Sequence, residues 1–295
     1  MTPEAIRRHK TALSLMDRGN VRGAERQFRK AIEAAPDWSH PWYNLGLLYK
    51  QQHDWRQSFA CNQEATKLDP NDKAGWWNLG IAATALGKWS EARLAWLAYG
   101  VPVPPGQGPI VMNNLGLTPI RLNPDASPEV VWCRRIDPAR AIIENVPFPI
   151  SNHRYGDLLL HDGEPKGYRM HGSQEVPVFN ELERLEISEY ATFEVVLEAS
   201  HDFDREALVD LAQERKLGID DWSAVRMLCK LCSEGRPHDD HHEQPPNDGP
   251  LVRYGIAAKD EADVDELLAD WRQGRFGCLV LELECVLPNA DKPQL

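Results

Sequence analysis

Apolar residues in the first hundred positions recur at helical spacing. Ala24, Phe28, Ala31 and Ile32 fall three and four apart, as do Leu45, Leu48 and Tyr49. The pattern predicts paired helices, with Pro36 and Pro70 ending one pair and opening the next. VPVPPGQGP, residues 101–109, holds four prolines and two glycines and reads as a semi-stiff linker. Beyond it the period shortens. Val130-Val131-Trp132, Ala141-Ile142-Ile143 and Asp157-Leu158-Leu159-Leu160 read as short strands, so residues 110–186 are expected to form a small β-rich domain.

From Tyr190 strands and helices alternate. ATFEVVLEA places Phe193, Val195 and Leu197 on one face and Glu194, Val196 and Glu198 on the other. A helix is predicted over 202–218, closed by Gly218. SAVRMLCKL (223–231) puts Val225, Met227, Cys229 and Leu231 inward, and PLVRYGIAA (250–258) does so with Val252, Tyr254 and Ile256. A second helix runs to Gly274, and FGCLVLELECVL then turns Leu279, Leu281, Leu283 and Cys285 inward. This is the β-α-β-β-α-β order of a ferredoxin-like α+β sandwich, assigned to residues 187–288, with 289–295 as a tail.

The first hundred residues also repeat. PWYNLGLLYKQQHDW from Pro41 aligns without gaps to GWWNLGIAATALGKW from Gly75. Trp42, Asn44, Leu45, Gly46 and Trp55 recur as Trp76, Asn78, Leu79, Gly80 and Trp89, each 34 residues on. Such a period marks a stacked helical repeat. The pattern resembles the tetratricopeptide repeat, with units at about 3–36, 39–70 and 73–100; the first keeps Ala12, Ala24, Phe28, Ala31 and Pro36 but lacks the Trp and the Gly. The resemblance implies a helical solenoid that binds peptides or partner helices in a groove lined by each unit's first helix. Its groove positions correspond to His9, Lys10 and Leu13 in the first unit, Tyr43, Asn44, Leu47 and Lys50 in the second, and Trp77, Asn78 and Ile81 in the third. An asparagine amide donates and accepts at once, which suits a peptide backbone; it can equally brace its own helix pair. Tyr43 and Trp77 fit groove and core alike.

VWCRRIDPARAIIENVPFPISNHRYGDLLL, from Val131, resembles an uncharacterised bacterial domain family. The matching residues are Trp132, Asn145-Val146-Pro147-Phe148 and Tyr155-Gly156-Asp157. That resemblance implies architecture and no activity.

The net charge of −12 argues against nucleic acid or an anionic membrane as a general partner, and fits a basic partner surface better. The opening MTPEAIRRHK lacks the apolar core of a signal peptide, and no apolar run is long enough to span a bilayer. A cytoplasmic location is expected, with the six cysteines reduced and filling core space. No nucleophile elbow, zinc-protease motif or phosphate-binding loop is present. Cys229 and Cys232 have metal-ligand spacing, but residues three apart on a strand face opposite ways. His153, His161 and His171 read as surface loop histidines without a role. The stretch RPHDDHHEQPPND sets His238, His241 and His242 at a metal-binding spacing if helical. Pro237 and Pro245 leave only seven residues between them, too few for a helix without a packing face, so the stretch is expected to be a solvated loop.

The sequence therefore predicts a non-enzymatic binding protein without a cofactor, engaging a protein or peptide. An adaptor or a toxin-neutralising immunity protein fits this class. The competing class is a metal-dependent enzyme or small-molecule sensor with its site in the C-terminal half.

Overall fold

A computed structural model describes residues 2–199, 201–223 and 249–290. The chain divides into two compact units, Met1–Asn114 with Ile136–Ala139, and Leu115–Arg135 with Arg140–Leu295.

The first unit carries six helices: α1 (Pro3–Asp17), α2 (Val21–Ala34), α3 (Ser39–Gln51), α4 (Trp55–Leu68), α5 (Lys73–Ala85) and α6 (Trp89–Tyr99). Local chemistry sets their starts. Thr2, Asn20, Asp54 and Asp72 each accept a backbone N–H of the first turn through a side-chain oxygen. The 34-residue repeat has a matching hydrogen bond: Trp42 Nε1 donates to the Pro36 carbonyl at 3.3 Å, and Trp76 Nε1 to that of Pro70 at 2.9 Å. Each tryptophan thus ties its helix to the proline that closed the previous pair. Gly46 and Gly80 allow the paired helices to touch. A Cβ on Gly46 would lie 2.6 Å from the Asn62 amide, and one on Gly80 2.7 Å from the Trp96 ring. Phe28, Leu45, Leu48 and Tyr49 fill the core between the first two pairs.

In the second unit, β1 (Leu117–Leu122), β2 (Glu129–Arg135), β3 (Arg140–Ile143), β4 (Leu158–His161) and β7 (Phe179–Glu186) close into a barrel. Closure comes from β1, which pairs antiparallel with β2 and parallel with β7. Ile120, Leu122, Val131, Cys133, Ala141, Ile143 and Leu159 fill it. The strands expected around Val131, Ile142 and Leu159 are β2, β3 and β4. A hairpin, β5 (Tyr168–His171) and β6 (Gln174–Pro177), stands outside the barrel sheet.

The remaining strands among the described residues are β8 (Ala191–Glu198), β9 (Gly218–Asp221), β10 (Leu251–Ala258) and β11 (Leu279–Leu287), in the order β11-β8-β10-β9, every neighbour antiparallel. Helices α7 (Asp202–Glu214) and α8 (Glu261–Arg272) follow β8 and β10. Phe193, Val195 and Leu197 from β8 and Val252, Tyr254 and Ile256 from β10 enter one core with Leu208, Leu267 and Trp271, as their alternation predicts.

Three features differ from the sequence reading. The helix after β8 stops at Glu214, because Lys216 takes a left-handed conformation (φ 59°); Gly218 does not close it but begins β9. The strand beside β10 is therefore Gly218–Asp221, and residues 224–231 of the predicted strand lie outside the described residues. Along β11 the register shifts between Val280 and Glu282 and again between Cys285 and Leu287. Each shift flips the face of the residues after it. Across the first shift the inward face passes from Val280 to Leu283, which pack on the core, so Leu279 and Leu281 are exposed; Cys285, on the Leu283 face opposite Phe193, is exposed as well. Cys61, Cys133 and Cys278 are buried thiols, as expected of core fillers.

Candidate functional site

The first helix of each pair, α1, α3 and α5, meets the next in line. Polar side chains bridge them. Asn44 Nδ2 on α3 lies 3.0 Å from His9 Nε2 on α1, and also donates to the His40 carbonyl of its own helix at 3.0 Å. Both amide hydrogens are used for bracing. Burial holds the His9 imidazole below its ordinary pKa, with the charge of His40 adding to the effect. A neutral ring with a bare Nε2 is the form that accepts from Asn44. One unit further on, Lys50 Nζ on α3 donates to Asn78 Oδ1 on α5 at 3.1 Å. Lys50 is only 6% exposed and Asn78 only 4%. A buried ammonium requires such acceptors, since an unpaired one costs several kcal/mol, of the order of magnitude set by desolvation.

The other groove positions divide. Lys10 is exposed, and Tyr43, Asn44 and Leu47 are half-buried. Leu13 is half-buried against the Phe28–Leu45 core, and Ile81 is fully buried. Trp77 stands edge-on to Trp96 and Tyr99, with ring centroids 5.0 and 4.7 Å away, in the packing between α5 and α6. The structure thus joins His9 to Asn44 and Lys50 to Asn78, and turns Leu13, Trp77 and Ile81 toward packing.

A second cluster, in the other unit, surrounds the Asn145–Phe148 segment. Phe148 N donates to both oxygens of Glu129 at 3.2 Å. Asp220 accepts from Val146 N, and from Asn145 Nδ2 at 3.0 Å. Trp222 Nε1 donates to the Val146 carbonyl at 3.1 Å, and Trp132 N to Asn145 Oδ1 at 2.6 Å. Burial pushes the Glu129 carboxyl up to about 7 and that of Asp220 up to about 6. The Phe148 N–H and the charge of His153 oppose the shift at Glu129, and Asp220 adds to it. Both carboxylates are engaged by the backbone they hold, so they act as a clasp on this segment.

The histidines read as surface residues need correction. His153 is buried and lies 2.7 Å from Glu181 through Nε2. His161 is fully buried, stacked on Phe179, with Nδ1 donating to the Asp162 carbonyl at 2.7 Å. Its position two after Leu159 carried the signal, since i and i+2 share a strand face. His171 is exposed, as expected. Among the described residues no group of three or more His, Cys, Asp or Glu is placed to hold a metal ion. His238, His241 and His242, with Cys229 and Cys232, lie outside those residues. No helix among the described residues is long and apolar enough to cross a membrane.

Residues 9–52 and 43–107 match the tetratricopeptide repeat family model. Over that stretch the six N-terminal helices are similar to tetratricopeptide repeats. The comparison with curated proteins found no match. Among solved structures, the TPR2B domain of yeast Sti1 in its Hsp70 complex is 15% identical, with a TM-score of 0.32, over 33% of this chain and 78% of that one. The second repeat domain of Spaghetti (RPAP3), bound to the HSP90 peptide SRMEEVD, is 20% identical, with a TM-score of 0.32, over 33% of this chain and 90% of its own. The Sgt2 repeat domain from Aspergillus fumigatus is 21% identical, with a TM-score of 0.31, over 33% and 65%.

Proposed function

We propose that this chain is a non-catalytic protein that binds a partner polypeptide along the first-helix face of its repeats. The observation that carries the reading is the strip of Lys10, Tyr43, Asn44 and Leu47, reachable by solvent, beside the buried Lys50–Asn78 pair. It presents a cation, the Asn44 amide oxygen, the Tyr43 side chain and an apolar contact along successive first helices, a combination suited to an extended peptide. Photo-crosslinking from Leu47 in the full chain tests it. A crosslinked polypeptide that is lost on Asn44→Ala supports the reading; crosslinking indifferent to Asn44 sinks it.

The C-terminal region supports this role as a scaffold. The order β11-β8-β10-β9, with helices after β8 and β10, favours the ferredoxin-like reading of residues 187–288. The motif residues on which the resemblance to the bacterial domain family rests have structural work here. Asp157 is fully buried and accepts from Arg154 N at 2.9 Å and Ser188 N at 2.8 Å. Gly156 has φ +84°, and a Cβ there would crowd Ser188 at 3.3 Å. A motif that builds a corner rather than a reaction centre fits an adaptor or a toxin-neutralising immunity protein in the cytoplasm.

A further inference from the structure

The second helices α2, α4 and α6 present equivalent outward positions 34 residues apart, and these change character along the array. One set is Arg26, Ala60 and Leu94; the other is Arg29, Gln63 and Leu97. All six are exposed. The gradient runs from cationic to neutral to apolar. Leu94 and Leu97 are each 57% exposed, which no packing requirement of α6 explains.

Each end has further support. At the cationic end, Arg22, Arg26 and Lys30 repeat every four residues on α2, and none has an ion-pair partner among the described residues. Arg29 beside them is held by Glu25 and the Tyr49 hydroxyl. Residues 1–36 carry eight basic and four acidic side chains, in a chain whose net charge is −12. At the apolar end a cleft of 330 Å³ opens between α4, α5 and α6, walled by Phe59, Thr66, Trp76, Leu79 and Leu94. Its surroundings are mixed in charge: Glu91 also lines it and pairs with Lys88 at 3.8 Å, and Lys67 pairs with Glu64 at 3.6 Å. Lys88 Nζ sits 4.8 Å from the centre of the Phe59 ring, and Lys67 lines the wall.

We infer that this outer second-helix face is a docking surface for an acidic polypeptide segment carrying one large apolar anchor. The anchor, a leucine or phenylalanine, fills the cleft beside Leu94, and its acidic residues meet Arg22, Arg26 and Lys30. The apolar cleft supplies the burial, and the unpaired cations of α2 supply steering and orientation. A dense polyanion fits less well, because the excess acid outside the first repeat repels it, while a short acidic segment meets only the local cations. The surface lies mainly on the second helices, with Trp76 and Leu79 of α5 as one wall of the cleft, and uses none of the residues of the first-helix strip above.

The test uses the full chain and a fluorescein-labelled synthetic peptide, EDEEGSGGLFGS, followed by anisotropy. The expected result is saturable binding that weakens about tenfold or more in Leu94→Asp and in the pair Arg22→Glu/Arg26→Glu. Replacing the peptide's Leu-Phe by Ser-Ser should weaken it likewise, and Lys10→Ala, at an exposed position of the first-helix strip, should leave it unchanged. The substituted residues are exposed, and circular dichroism checks that helix content is retained. Absence of saturable binding overturns the inference, as does equal binding by the Leu94→Asp chain. Loss on Lys10→Ala alone moves the peptide to the first-helix face and also overturns it. Tighter binding of oligothymidylate or of phosphatidylserine vesicles would assign the cations to a different polyanion and overturn it too.

Discussion

Lys50 Nζ donates to Asn78 Oδ1 at 3.1 Å, joining the first helices of the second and third repeats through a buried pair. The same asparagine position one repeat earlier, Asn44, is spent on His9 and His40. Equivalent residues therefore do different work: one braces through its donors, the other neutralises a cation through its acceptor. Asn78→Ala removes an acceptor from a buried ammonium and should cost about 1–3 kcal/mol. Asn78→Asp, which keeps the acceptor, should cost less. Urea unfolding followed by helical circular dichroism reads this, and wild-type stability in Asn78→Ala would show that the pair contributes nothing.

Gly80 lies against Trp96, which is fully buried. A Cβ placed 2.7 Å from a ring with no free space forces the helices apart. Gly80→Ala should destabilise by about 1–3 kcal/mol, as overpacking does. Trp96→Phe in the same chain shortens the ring and should recover part of the loss. If the two substitutions simply add in thermal melts, the close approach is not what Gly80 provides.

The repeat was legible because each unit writes its own fold locally: Trp42 and Pro36, Gly46 and Asn62, and their counterparts 34 residues on are neighbours both in sequence and in space. Barrel closure was not, since β1 pairs with β7 across nearly sixty residues, as in Ile120 with Phe179. In β11 the alternation was visible but its phase was not. Two register shifts reverse the faces, and nothing in LVLELECVL marks them. The groove positions were recognisable from the repeat pattern, yet whether Trp77 served the groove or the core depended on Trp96 and Tyr99, whose distances only the fold sets. The clasp on Asn145–Phe148 was invisible because Glu129 and Asp220 are far apart in the chain and meet only around that segment.

Gly255 on β10 faces Trp222 so closely that a Cβ would stand 2.2 Å from the indole. The ring is held there by its bond to the Val146 carbonyl and by packing on Phe148, 5.0 Å between ring centres. Gly255→Ala should eject the indole, break that bond and destabilise the second unit by about 1–3 kcal/mol. In the background Trp222→Ala the same change should be nearly neutral. A thermodynamic cycle measured by chemical denaturation checks this; an equal cost of Gly255→Ala in both backgrounds would place the strain elsewhere.

The clasp makes a signed prediction for pH. Glu129 moves from an ordinary 4.5 to about 7 in the folded chain, chiefly through burial. Between those values the folded state binds the extra proton, so stability falls as pH rises and levels off above about 7. Asp220, raised to about 6, acts in the same direction. So does His153, raised because its hydrogen bond and charge interaction with Glu181 outweigh burial; its contribution is full below 6.5 and is lost as pH rises through its folded value. His161, lowered to about 4 by burial, acts oppositely and is lost as pH falls below 6.5. The total slope mixes these groups, so a difference between chains isolates one. Glu129→Gln keeps an oxygen for the Phe148 N–H and cannot ionise. Its melting temperature relative to the parent should climb steadily from pH 4.5 to about 7 and then stay constant. Thermal melts followed by near-ultraviolet dichroism measure that difference. A value independent of pH across the window would mean that the Glu129 carboxyl titrates as an ordinary exposed acid and that the clasp does not shield it.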